Sequence, residues 1–160
     1  MSFTLPDAAA TERLGAALGR TCPWNLQLPR AIYLKGELGA GKTTLARGLL
    51  RSLGVSGPVR SPSYALIEPY SVAAGTVIHV DLYRVHDAAE TEALGLRDEF
   101  RGGALILLEW PERAGGVLPL PDLQVTLQSE AAGRLAEVLS TTLAGQAWIQ
   151  AASAIFKSAE

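Results

Sequence analysis

Gly36-Glu37-Leu38-Gly39-Ala40-Gly41-Lys42-Thr43-Thr44 fits the pattern of a glycine, four residues, Gly, Lys and then Ser or Thr that marks a phosphate-binding loop. Its flanks give it context. Before it, Ala31-Ile32-Tyr33-Leu34 is a short apolar run rich in strand formers. After it, residues 44–53 read as a helix with Leu45, Leu49, Leu50 and Leu53 on one face and Gly54 as a stop. A strand, a glycine loop and a helix in that order make a phosphate cradle.

The chemistry of such a cradle asks for these residue types. Glycines allow positive φ, so the backbone N–H groups can approach phosphate oxygens. A helix beginning at Lys42 adds unpaired N–H groups and the positive end of its dipole. Lys42 supplies a compact charge for the β- and γ-phosphates, and the Thr43 hydroxyl is suited to ligate Mg²⁺.

Composition bounds the rest. A chain of 160 residues is read as one domain, residues 1–160, able to bury roughly 70% of its unfolded surface. Hydrophobic residues make up 48% and charged residues 19%, with no signature of disorder. A net charge of −2 does not give the broad basic surface of a stand-alone nucleic-acid binder. Cys22 is the only cysteine, which excludes an internal disulfide and suits a reducing cytoplasm. No apolar run approaches the ~20 residues of a membrane span, and the N-terminus lacks the features of a signal peptide. The expectation is a soluble cytoplasmic protein with no membrane contact.

Along the chain, residues 7–19 read as a first helix, capped by Asp7, with Leu14, Ala17 and Leu18 on its apolar face. Thr11 and Glu12 fall on other faces, where such residues are usually solvated. A loop runs from Cys22 to Pro29. Beyond the phosphate loop and its helix, Gly57-Pro58-Val59-Arg60-Ser61-Pro62-Ser63-Tyr64 reads either as a connector or as a switch loop carrying Ser61 or Ser63 towards the γ-phosphate or a metal. A strand is expected at Ala65-Leu66-Ile67-Glu68.

Two further apolar runs end in acids: Val77-Ile78-His79-Val80-Asp81 and Ala104-Leu105-Ile106-Leu107-Leu108-Glu109. In open α/β sheets, ligands bind beyond the carboxyl ends of the strands, so Asp81 and Glu109 both face the phosphates in this reading. The second run is continuous, as central parallel strands are. Glu109 is therefore favoured as the acid in the metal shell, leaving Asp81 to hold Mg²⁺ through water or to orient an attacking water. His79 alternates with Asp81 on one strand face and reads more readily as a packed residue than as a catalyst. Arg84 is open to three readings: phosphate clamp, partner contact or surface charge. Residues 87–101 are acidic and helical in two pieces. Leu123 to Gln128 alternates with period two and Leu135 to Ser140 returns antiparallel. Residues 141–157 form an Ala-rich helix carrying Leu143, Trp148, Ile149, Ala152 and Phe156. The fold class is α/β, a P-loop NTPase-like three-layer domain with a mostly parallel central sheet and an antiparallel C-terminal hairpin.

Taken together, the phosphate loop, Ser61-Pro62-Ser63-Tyr64, His79-Val80-Asp81-Leu82-Tyr83-Arg84 and Leu108-Glu109-Trp110-Pro111-Glu112 resemble the TsaE family over about residues 5 to 140. The first motif is shared with many NTPases; Asp-Leu-Tyr-Arg and Glu-Trp-Pro-Glu are far more specific. The resemblance implies a small ATPase of bacterial threonylcarbamoyladenosine synthesis on tRNA, with ATP and Mg²⁺ as ligands and TsaD- and TsaB-like proteins as partners, tRNA being met mainly through that complex. It implies that Gly39, Ala40, Gly41, Lys42, Thr43 and Thr44 bind the triphosphate and that Thr43 and Glu109 hold Mg²⁺. Lys42, Asp81 and Glu109 would be the catalytic set and Trp110 would lie close to the nucleotide. Thr11 and Arg134 resemble family positions near the base and ribose. Ser63 departs from the family's usual Thr but keeps the hydroxyl, and nothing transfers to the C-terminal helix. A small phosphate-loop kinase shares the first motif, yet the chain has no Arg-rich lid segment. A GTP-driven switch would want an Asn-Lys-x-Asp guanine reader, which is absent.

Overall fold

Ser2–Leu5 forms a short strand, β1, ahead of helix α1 (Ala8–Arg20) in a computed structural model that describes residues 1–25, 29–100 and 103–158. Strand β2 (Arg30–Lys35) leads through the phosphate loop into α2 (Lys42–Ser52). A hairpin of β3 (Ile67–Val72) and β4 (Gly75–Asp81) follows, then the short helices α3 (Ala88–Ala93) and α4 (Leu96–Glu99). Strand β5 (Leu105–Glu109), a single 3-10 turn at Pro111–Ala114, the hairpin β6 (Leu123–Glu130) and β7 (Gly133–Ser140), and α5 (Leu143–Ser158) complete the chain. The expected loop at 22–29 and helical segment at 87–101 each include residues outside those described.

Among the described residues, all seven strands lie in one sheet of order β1-β7-β6-β2-β5-β4-β3. β6, β2, β5 and β4 are mutually parallel, while β3, β7 and β1 are antiparallel to their neighbours. The α/β reading with a parallel centre and a C-terminal hairpin therefore holds, with three revisions. β1 was not foreseen. The strand expected at Ala65–Glu68 lies instead at Ile67–Val72, because Leu66 takes a left-handed φ of 64° that no strand accommodates. β6 belongs to the parallel core as well as to its hairpin.

The alternation of strand side chains divides the core in two. Ile32, Leu34, Leu105, Leu107 and Val77 face α1, α2 and α5; Tyr33, Ile106, Leu108, Ile78 and Val80 face the opposite layer with Leu96 and Ala114. His79, Asp81 and Glu109 continue the first of these faces, on the side of α2. At the base of the sheet the buried Asp122 accepts the Ala31 N–H at 3.1 Å and the Thr142 hydroxyl at 2.7 Å. The Trp148 indole donates to the Leu18 carbonyl at 2.9 Å, fixing α5 on α1. Leu143 is 86% exposed; it stands at the first turn of that helix, before the packed stripe begins. No helix among the described residues is long and apolar enough to cross a membrane.

Helices α1 and α2 approach backbone to backbone. A Cβ on Gly48 would lie 2.1 Å from the Glu12 carbonyl oxygen, and one on Gly15 would lie 2.1 Å from that of Leu45. Glu12 spans the same seam, pairing with Arg47 at 3.0 Å and Arg51 at 3.1 Å. Gly48→Ala improves helix propensity but forces the helices apart, and overpacking of this kind costs about 1–3 kcal/mol. Urea unfolding should show Gly48→Ala less stable by at least about 1 kcal/mol; equal or greater stability would mean the seam is loose.

Candidate active site

The phosphate loop closes tightly because of where its glycines sit. Gly36 has φ 138°, and a Cβ there would meet the Leu127 carbonyl oxygen at 2.4 Å. Gly41, φ 106°, is the residue before α2 and has no side chain to cap it, so no side chain competes for the first N–H groups of that helix.

Lys42 leads this helix with its side chain folded back over the loop. Its ammonium donates to the carbonyls of Gly36 at 2.6 Å and Glu37 at 2.8 Å and lies 3.9 Å from the centroid of the Trp110 ring. Burial lowers the Lys42 pKa from its usual value, while Glu109, Asp81 and Glu112 pull in the opposite direction.

The two strand-end acids stand side by side, since Asp81 and Glu109 are register partners across β4 and β5. Glu109 is 2% exposed. The Thr43 hydroxyl lies 3.0 and 3.1 Å from its two oxygens, and His79 Nε2 donates to Oε1 at 2.9 Å. Asp81 accepts the Tyr83 N–H at 2.8 Å on Oδ1 and the Ser61 hydroxyl on Oδ2. The Asp81 N–H in turn donates to the Leu66 carbonyl at 3.0 Å, so the segment around Ser61 is tied to the end of β4 at both ends. Trp110 follows Glu109 with φ 62° and ψ 50°, a conformation that costs a non-glycine residue about 1–2 kcal/mol. Its ring packs on that of Tyr83, with centroids 5.0 Å apart.

These groups line one cleft of about 380 Å³. Gly39, Gly41, Lys42, Thr43 and Thr44 meet Ser61, Ser63, Asp81, Glu109 and Trp110 there, with Leu38, Tyr83 and Arg84 at the remaining walls. Ala40 is buried beneath the loop. Thr11 and Arg134 lie outside the lining. Thr11 is wholly buried, against the expectation of a solvated face, because its hydroxyl accepts from Arg134 Nη1 at 2.9 Å. The Arg134 guanidinium lies against Gly41, and its buried Nε has no hydrogen-bond partner. The contacts of His79 with Glu109 and of Ser61 with Asp81 were not assigned from sequence; only the shared parity of His79 and Asp81 pointed towards the first.

A triphosphate and Mg²⁺ fit this arrangement. The uncapped helix start and Lys42 are donors for anionic oxygens. Glu109, Asp81, Thr43, Ser61 and Ser63 are hard oxygen donors. Among the described residues no group of three or more His, Cys, Asp or Glu forms a metal cage; Mg²⁺ suits such a site, since it takes one or two carboxylates and fills its shell with water and phosphate.

The sequence profile described as threonylcarbamoyl adenosine biosynthesis protein TsaE matches residues 5–136. The chain belongs to the TsaE family. Among its relatives, the tRNA threonylcarbamoyladenosine biosynthesis protein TsaE of Haemophilus influenzae is 43% identical over 151 residues, covering 93% of this chain and 95% of that protein. The protein of the same description from Synechocystis is 38% identical over 117 residues, 71% of each chain. The solved structure of Bacillus subtilis YdiB aligns with a TM-score of 0.73 over 100% of this chain and 96% of that one, at 22% identity. That last likeness is one of fold. TsaE membership accords with the Asp-Leu-Tyr-Arg and Glu-Trp-Pro-Glu segments, which here form the far wall of the cleft.

Removing the Lys42 charge tests the cleft directly. A charge-assisted hydrogen bond contributes about 1.5–3 kcal/mol, so Lys42→Ala should lower Mg-ATP affinity at least about tenfold while the protein still melts cooperatively. Calorimetric titration showing near-native affinity would remove Lys42 from the phosphate site.

Proposed function

We propose that this chain is the Mg²⁺-dependent ATPase of threonylcarbamoyladenosine synthesis on tRNA, acting with TsaD- and TsaB-like proteins in the cytoplasm. The observation that carries the reading is the meeting of Lys42, Thr43, Asp81 and Glu109 in one cleft at the carboxyl edge of four parallel strands. The family and its relatives supply the pathway; the cleft supplies the chemistry.

In this reading the N–H groups of residues 39–44 and the start of α2 receive the β- and γ-phosphates. Lys42 exchanges its carbonyl partners for phosphate oxygens. Thr43 and Glu109 would hold Mg²⁺, which would neutralise charge on the phosphates. Asp81 is the water-positioning acid. Its Oδ1 is fixed by the Tyr83 N–H and its Oδ2 is held by Ser61, so a shift of the Ser61 segment frees one carboxylate oxygen for an attacking water. Trp110 and Tyr83 wall the cleft against solvent, and Arg134 with Thr11 forms the edge nearest Gly41.

The two acids should separate by phenotype. Glu109→Ala is expected to raise the Mg²⁺ requirement and lower nucleotide affinity. Asp81→Asn is expected to bind Mg-ATP and release phosphate poorly. Binding and turnover measurements giving the reverse pattern would exchange the roles.

The layout of the walls supports partner dependence. Among the described residues the one arginine that lines the cleft is Arg84, and it stacks on Tyr64, 4.1 Å from the ring centroid. Phosphate release by the isolated protein is therefore expected to be slow and to rise at least ~10-fold with a TsaD–TsaB-type complex, about 1.4 kcal/mol off the barrier. Substituting Tyr83 or Arg84 should reduce this stimulation more than it reduces ATP binding. Full turnover by the isolated protein, unchanged by the partners, would favour a free-standing ATPase.

A further inference from the structure

We propose that His79 is the positioning residue for Glu109, holding one carboxylate oxygen so that the other stays aimed at the bound cation. This inference rests on the reading of Glu109 as a Mg²⁺ ligand.

His79 is wholly buried on β4, on the same sheet face as Glu109. An imidazole in such a place needs a hydrogen-bonding reason to be there. Its Nε2 lies 2.9 Å from Glu109 Oε1, and its Nδ1 has no partner. A carboxylate accepts and cannot donate, so the ring carries an N–H on Nε2 and directs it at Oε1. Thr43 holds the same carboxylate, its hydroxyl within reach of both oxygens.

These two supports differ in what happens when a cation arrives. A Thr43 hydroxyl that ligated Mg²⁺ would have to serve the metal with its oxygen and Glu109 with its proton at once. The His79 bond asks nothing of the metal and can persist. His79 is then the contact that keeps Glu109 from rotating between empty and loaded states. Partners of this type commonly change metal affinity about 10–100-fold when removed. A purely structural histidine would behave differently: its loss would lower stability without a metal-specific effect.

The test compares His79→Leu, His79→Asn and His79→Gln, with Glu109→Gln in parallel. The Gln amide can reach the position of Nε2, whereas Asn is too short and Leu has no donor. ATP affinity is measured by calorimetry across a Mg²⁺ titration and again with chelator, and thermal melting reports folding. His79→Leu and His79→Asn should each raise the Mg²⁺ concentration for half-maximal ATP binding at least about tenfold. Metal-free affinity should be unchanged, and His79→Gln should stay within about threefold of the native protein. If His79→Leu does not fold, the comparison of Gln with Asn carries the test. Equal Mg²⁺ requirements for Gln and Asn, or a folded His79→Leu protein with the native requirement, would overturn the proposal. If Glu109→Gln raises the requirement and the His79 variants do not, only the positioning role fails. If Glu109→Gln also leaves it unchanged, Glu109 is not the ligand and the reading beneath the proposal fails with it.

Discussion

A carboxylate buried at the end of a strand with no exposed side chain is the constraint on which this site depends. Every residue of β5 from Leu105 to Glu109 is buried, and a charge in that position is tolerated only with partners. The Thr43 hydroxyl reaches it from α2 and the His79 ring from β4. Those two contacts require β4, β5 and α2 to converge within hydrogen-bonding distance, which fixes the strand order β2-β5-β4 and the position of the phosphate loop at once. Asp81 falls next to Glu109 as a consequence of the same register.

The α1–α2 seam serves the same end from outside. Glycines at 15 and 48 let two backbones touch, and α1 thereby braces the helix that begins at Lys42. Arg134 extends the brace to β7, which carries it, while Thr11 of α1 receives it. The loop is held between a helix pair on one side and a guanidinium on the other.

Much of this was legible in the sequence, and the residues that were not share a cause. The loop, its strand and its helix follow from local chemistry: glycines, a lysine and a four-leucine face. The continuous apolar run before Glu109 identified a strand covered on both faces. β1 has only four residues and two inward side chains, Phe3 and Leu5, and becomes a strand by pairing with β7 far along the chain. β3 carries Pro69 and has no buried residue, features of an edge strand that weaken any local signal. The bond from His79 to Glu109 joins residues on different strands, so neither composition nor spacing could assign it. The left-handed backbone of Trp110 is similarly set by its surroundings: its N–H is held by the Leu34 carbonyl while its ring covers Lys42. Thr11 was misplaced because a helical wheel knows nothing of an arginine arriving from β7.

If the cleft binds a nucleotide as proposed, the lysine that grips its own loop has an energetic meaning. An ammonium left without phosphate in a cleft of this depth would be a stranded charge, and product departure would have to create it. Here the Gly36 and Glu37 carbonyls stand ready within the loop itself, with an aromatic ring above. In the proposed nucleotide cycle, emptying the cleft would return the buried ammonium to these protein dipoles, and filling it would first have to undo those contacts. Such a device trades tightness for exchange: it narrows the free-energy gap between loaded and vacant forms and so favours a protein that cycles over one that stores its ligand.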